Sequence, residues 1–217
     1  MHPQRLLSIP SGGLPPDYAA VFIGGFGDGL TGCLSRAERR FSGFLPDRKH
    51  VSAYYHWDGG GLGIFLDRCG RIADDLRLFQ KQLPGTPVVL VGHSYGGSCA
   101  VEVARRLDDG MAPLCLLTID AVARRQGSER PVTVDWWGNV WLGEGGGLMD
   151  AVPRVGGRWG CCPGADMNAA FSGYSLDGFG HLYSHQRPEP MLYDPAERGV
   201  PSLHQAASVW LAHRMAR

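Results

Sequence analysis

The 217-residue sequence predicts an α/β fold, with a mostly parallel central sheet flanked by helices. Two observations carry that expectation. Short runs are apolar on both faces, as strands of a covered parallel sheet must be, and they alternate with stretches whose apolar residues recur every three to four positions. Tyr18 to Ile23 is the first such run and ends in Gly24-Gly25; Val51 to Tyr55 is the second. From Ile64 to Leu83 the apolar positions fall at 65, 66, 69, 72, 73, 76, 79 and 83, the face of an amphipathic helix stopped by Pro84-Gly85. Pro87 to Val91 is a continuous apolar strand. Ala100, Val101, Ala104 and Leu107 then mark a second helix. Leu114 to Ile119 and Val132 to Trp136 read as further strands, and a helix from about Ser202 to Met215 closes the chain. Between 138 and 200 the periodicity fades into glycines, prolines and scattered aromatics. That region reads as a loop-rich excursion around the site, within a single domain spanning 1–217.

Composition excludes several function classes. Apolar residues make up 44% and charged residues 19%, ordinary for a folded globular chain. Twenty-one basic residues balance twenty-one acidic ones, so no net field attracts nucleic acid or anionic lipid. No run approaches the roughly 18 apolar residues of a membrane helix, and no signal-peptide core is visible. The expectation is a soluble cytoplasmic protein, or one exported without a cleavable signal peptide. The six cysteines, at 33, 69, 99, 115, 161 and 162, show no metal-ligand spacing and read as ordinary structural residues. No metal and no cofactor are expected. Glycine, at 32 residues, is in excess and clusters in loops where backbone turns or approaches something closely.

Chemistry first appears at Gly92-His93-Ser94-Tyr95-Gly96. The pattern G-x-S-x-G is weak alone, but here it follows directly on the apolar strand Val88-Val89-Leu90-Val91 and opens a helix rich in small residues. A serine on such a strand-to-helix turn sits in strained backbone and presents its hydroxyl at the sheet edge. Glycines two before and two after are needed because side chains there would strike the neighbouring strand and helix. The helix N-terminus adds a positive end that favours a developing oxyanion.

Gly92-His93-Ser94-Tyr95-Gly96-Gly97 resembles the nucleophile elbow of α/β-hydrolases, especially lipases and lipase-like acyl hydrolases, over roughly residues 18–140. The resemblance implies an acyl-enzyme on Ser94 and a Ser–acid–His triad in that chain order. Two backbone N–H groups would then hold the oxyanion. Tyr95 supplies one; the other comes from the loop after the first strand, Gly24-Gly25-Phe26-Gly27-Asp28-Gly29, with Phe26 chosen and Gly25 second. Gly24 stands where lipases carry a histidine. Asp28 reads as a turn residue bonded locally.

Asp120, the first charged residue after an entirely apolar run, is the expected acid, with Asp135 as its rival one strand later. The base is expected between the last strand and the closing helix. His181, flanked by glycine, is preferred and His185 is the alternative. His204 and His213 read as surface residues of the last helix, and His93 as pointing away beneath the elbow.

For the substrate, Trp57, His56 and Trp137 are expected to line the cleft. No basic cluster to hold a phosphate or sulfate head is apparent, and Gly59-Gly60-Gly61 lacks the lysine of a phosphate loop. The expected substrate is therefore a small-molecule or lipid-like carboxylic ester, and the expected activity that of a lipase, phospholipase or esterase. A thioesterase or acyltransferase with the same triad is one alternative, and a catalytically inactive binding module on the same fold is another. Whether a partner protein regulates the site stays open.

Overall fold

Three strands, β1 (Tyr18–Gly24), β3 (Val88–His93) and β4 (Leu114–Ile119), are buried along their whole length, as their unbroken apolar sequences require. The computed structural model describes residues 4, 6–9, 14–57, 68–108, 110, 112–124, 126–127, 129–145 and 150–216. It joins these strands with β2 (His50–His56), β5 (Trp136–Leu142) and β6 (Met167–Phe171) in one parallel sheet of order β2-β1-β3-β4-β5-β6. The chain runs outward from β1 to β2, then crosses back to β3 on the other side of β1. The order therefore reverses between β1 and β3, and a crevice opens there at the carboxyl ends of the strands.

Successive residues of a strand face opposite sides, so the sheet carries two cores. Tyr18, Ala20 and Phe22 pack with Val89, Val91 and Leu117 toward α2 (Cys33–Arg40), α6 (Pro188–Tyr193) and α7 (Leu203–Met215). Ala19, Val21 and Ile23 pack with Val88, Leu90 and Leu116 toward α3 (Arg68–Gln82) and α4 (Tyr95–Arg106). Two short helices, α1 (Asp28–Thr31) and α5 (Ala151–Gly156), flank the sheet edge. A reciprocal capping box, Ser202 with Gln205, fixes the start of α7.

Three expectations change. The fifth strand begins at Trp136, where the sequence reading ended it. Pro131 accepts from the Val134 N–H in a turn, so 132–135 approach the sheet rather than join it. The 138–200 region holds most of β5, all of β6 and two helices; its pattern is weak because β6 is a five-residue strand at the sheet edge, only partly buried. The helix expected from 64 is described from Arg68, and 64–67 with Gly59-Gly60-Gly61 lie outside the described residues.

Two of the cysteines are also paired. Cys69, in the first turn of α3, forms a disulfide with Cys99 of α4, while Cys115 is a buried free thiol. The bond ties together the two helices on one face across a sequence separation of 30. Loop-closure entropy for that span corresponds to about 3–4 kcal/mol. Reduction, or Cys99→Ser, is expected to lower the melting temperature by roughly 10 °C. Identical melting of oxidised and reduced protein would show that the cross-link carries no such weight.

Candidate active site

Ser94 stands between β3 and α4 with φ 57° and ψ −131°, one of two non-glycine residues with positive φ among those described. Its N–H donates to Ile119 O, and its carbonyl accepts from Gly97 and Val122, so the turn is braced on three sides. The flanking glycines answer to space. A Cβ at Gly92 would lie 2.4 Å from Gly96 O, and one at Gly96 would lie 2.0 Å from Ile23 O. Only bare backbone lets α4 press this closely on β1 and β3.

The second residue with positive φ is Asp120 (φ 44°), immediately after β4. It is fully buried, and Leu142 N–H donates to its Oδ1 at 3.0 Å. The guanidinium of Arg158, itself buried, lies 3.0 Å from the same oxygen. Burial alone would raise the Asp120 pKa, but the hydrogen bond from His185 and the charges of His185 and Arg158 hold it below the ordinary carboxylate value.

His185 faces Ser94, and His181 does not. The His185 Nδ1 is 2.6 Å from Asp120 Oδ2, and its Nε2 is 2.9 Å from Ser94 Oγ. With Nδ1–H donating to the carboxylate, Nε2 is left to accept the serine hydroxyl proton. The imidazole of His181 is 65% exposed and lies 3.8 Å from Asp177; the glycine beside it, Gly180, closes a turn with Asp177 instead of bringing backbone to the site. Asp135 is also elsewhere. It precedes β5, at the opposite end of the sheet, where it accepts from Leu114 N–H and pairs with Arg214.

Both backbone polar groups of His185 are held by side chains from distant segments. Its N–H donates to Asp150 Oδ1 at 2.9 Å, and its carbonyl accepts from His93 Nε2 at 2.8 Å. Asp150 also meets Arg158 at 3.3 Å, which links it to Asp120. Asp150, Arg158 and His93 are thus positioning residues that sequence reading missed. The nearest signal was His93, adjacent to the serine, but its ring reaches across to the loop instead of turning beneath the elbow.

Gly25 lies against the serine: a Cβ there would be 2.5 Å from Ser94 Cβ and 2.9 Å from Oγ. The Tyr95 N–H is the first of α4 and has no intrahelical acceptor. Gly25, Phe26, Tyr95, Val122, Pro153 and Ser94 are among the residues lining a cleft of about 270 Å³. The expected lining residues lie outside it. Trp137 is fully buried and donates to Thr118, Trp57 stacks on Tyr95 at 5.1 Å, and His56 is buried beside Tyr54. Asp28 accepts from Leu34 N–H and also from Tyr54 OH of β2, and it lines the cleft, so it is more than the local turn residue expected. His204 is half-buried, stacked on Phe44 and bonded to Gly43 O, rather than a free surface residue.

A six-stranded parallel sheet with a serine turn at its reversal point is the α/β architecture that the sequence predicts. Just under half of the chain matches a family model. The matching model is that of a thioesterase domain, over residues 39–135, a span holding Ser94 and Asp120. Among solved structures the chain is similar to YbtT, a type II thioesterase from the yersiniabactin NRPS/PKS biosynthetic pathway. The identity is 13%, over 98% of this chain and 97% of that one, with a TM-score of 0.46. It is also similar to ClbQ from the colibactin NRPS/PKS pathway, at 20% identity over 52% of this chain and a TM-score of 0.34; the match spans about half, 48%, of ClbQ. No curated protein matches the chain. Among the described residues no helix is long and apolar enough to cross a membrane.

Burial and the neighbouring His185 push the His93 pKa down from 6.5 to about 4. The unfolded chain takes up this proton near 6.5 and the folded chain only near 4. Between those values the unfolded state binds more protons, so the contribution of His93 to stability is full above 6.5 and declines as pH falls toward 4. His93→Gln keeps a donor but cannot titrate. Urea midpoints are expected to fall less steeply from about pH 7 to about pH 5 in the variant than in the wild type. Parallel pH dependence in the two proteins would exclude a buried neutral His93.

Proposed function

We propose that the chain hydrolyses acyl thioesters through an acyl-enzyme on Ser94. One observation carries the reading: a single imidazole lies within hydrogen-bond distance of both the Ser94 hydroxyl and a buried, charge-compensated carboxylate. His185 takes the Ser94 proton as Oγ attacks the acyl carbon. The tetrahedral oxyanion is met by the N–H groups of Tyr95 and Phe26, with the bare backbone of Gly25 leaving room beside Oγ. The C–S bond breaks, and the departing sulfur takes the proton from His185. Water, deprotonated by the same imidazole, then releases the acid and returns Ser94 to its starting state. Asp120 stays ionised throughout, holding the tautomer and stabilising the imidazolium.

The thioester, rather than the lipid ester the sequence suggested, is favoured by the thioesterase-domain model over the span that contains Ser94 and Asp120. A cleft of about 270 Å³ is at the low end for small-molecule sites, which suits a short acyl group better than a long lipid chain.

A fluorophosphonate probe is expected to label Ser94 in the wild type and nothing in Ser94→Ala. Thiol release from butyryl thioesters is expected to exceed hydrolysis of the matching nitrophenyl ester. His185→Ala should lose at least about 10⁴-fold in kcat/KM, while His181→Ala stays within about twofold of wild type. A folded sample with neither labelling nor thiol release would sink the enzymatic reading. A larger loss in His181→Ala than in His185→Ala would overturn the assignment of the base.

A further inference from the structure

The six residues that follow Ile23, Gly24-Gly25-Phe26-Gly27-Asp28-Gly29, carry almost nothing that could hold them in place. Four are glycines, which give the backbone its widest conformational freedom, and the Phe26 side chain is 69% exposed. Asp28 alone sends a side chain into the interior, where it is 3% exposed. It opens α1, a helix of four residues whose N-cap, Gly27, offers no side-chain cap. A loop of this composition takes its position from its anchor.

That anchor reaches two separate elements. Asp28 Oδ1 accepts from Leu34 N–H, in the first turn of α2, at 3.0 Å, and Oδ2 accepts from the hydroxyl of Tyr54, fully buried on β2. The pair lies directly against Gly24: a Cβ there would be 2.3 Å from Asp28 Oδ2 and 2.7 Å from Tyr54 Oη. The space that a side chain at 24 would need is thus taken by the anchor. His56, also buried, packs edge-on against the Tyr54 ring, and a Cβ on Gly29 would meet it at 2.8 Å. Bare backbone at 24 and 29 lets both ends of the loop close on this cluster. Between them the Phe26 N–H has no acceptor among the described residues.

We propose that the Asp28–Tyr54 hydrogen bond positions the Phe26 N–H as an oxyanion donor. The inference rests on the acyl-enzyme reading of Ser94. Asp28 N–H donates to Gly25 O at 3.2 Å, closing a turn in which Phe26 is the second residue. Gly25 lies against Ser94, so the turn is held by the serine at one end and by the anchor at the other. The Phe26 N–H takes its direction from both. Donors fixed before reaction need no reorganisation as charge develops on the acyl oxygen. Asp28 and Tyr54 are therefore positioning residues: they act through Phe26 and need not touch the reacting atoms.

The test compares turnover of a butyryl thioester with inhibition by a trifluoromethyl ketone carrying the same chain. Ser94 Oγ bonds to the ketone carbon, its proton passes to His185, and the carbonyl electron pair becomes an oxyanion, with no leaving group. Tyr54→Phe removes one hydroxyl and keeps the ring. It is expected to lower kcat about tenfold, leave KM within about twofold, and weaken ketone binding by about the same factor as kcat. Asp28→Ala should lose about 10²-fold in kcat. Asp28→Asn, whose Oδ1 accepts from Leu34 N–H while Nδ2 donates to the Tyr54 hydroxyl, should recover most of that loss. Tyr54→Phe with wild-type kcat, a kcat loss without weaker ketone binding, or Asp28→Asn as impaired as Asp28→Ala overturns the proposal. If Asp28→Ala fails to fold, the other two variants decide: Tyr54→Phe must lose ketone affinity and Asp28→Asn must keep it. Wild-type protein that neither turns over nor forms the adduct sinks the acyl-enzyme reading, and the anchor's role with it. Wild-type turnover that Tyr54→Phe does not change leaves that reading standing and removes the anchor alone.

Discussion

The approach of α4 to β1 is the constraint on which the rest of the sheet edge depends. At Gly96 the two come so close that one added carbon would sit 2.0 Å from a backbone oxygen. The turn at Ser94 must therefore be sharp, its φ must be positive, and its hydroxyl must project into the crevice where strand order reverses. The same closeness brings Gly25, at the end of β1, against the serine side chain. Backbone strain at one residue, of order 1–3 kcal/mol, is held in place by packing on every side.

The charges around His185 follow a different logic. Asp120 and Asp150 are buried carboxylates with one buried guanidinium, Arg158, between them. Removing charges from water is costly, and charge pairing with hydrogen bonds to the carboxylates offsets part of that cost. Leu142 N–H, the His185 ring and the His185 backbone N–H donate to the carboxylate oxygens, whereas Nε and Nη1 of Arg158 are buried with no hydrogen-bond partner among the described residues. The network adds little net stability by itself, but deleting one member would leave an uncompensated charge in the interior.

What the sequence made legible is what is local in it. The elbow is a strand, a glycine spacing and a helix start within ten residues, and Ser94 could be read directly. Asp120 was legible because it ends a wholly apolar run. The imidazole that faces Ser94 was not, because two histidines share one irregular loop and the side chains that single out His185 come from residues 93, 120 and 150. Flanking glycine pointed to His181, yet Gly180 belongs to a turn closed on Asp177. The partners Cys69 and Cys99 sit on apolar helix faces, where a thiol destined for a disulfide looks like any other small core residue. Strand β6, five residues with Asn168 near its start, offered neither alternation nor a long apolar run.

His185 has no regular structure of its own to hold it, and each of its four polar contacts spans 35 to 92 residues of sequence. On the proposed chemistry, reactivity is then a property of the completed fold alone. Nothing can draw the proton from Ser94 until the last third of the chain has docked. Partly folded molecules are thereby kept from attacking acyl groups indiscriminately, and turnover becomes a direct gauge of the fraction of molecules that have reached the native state.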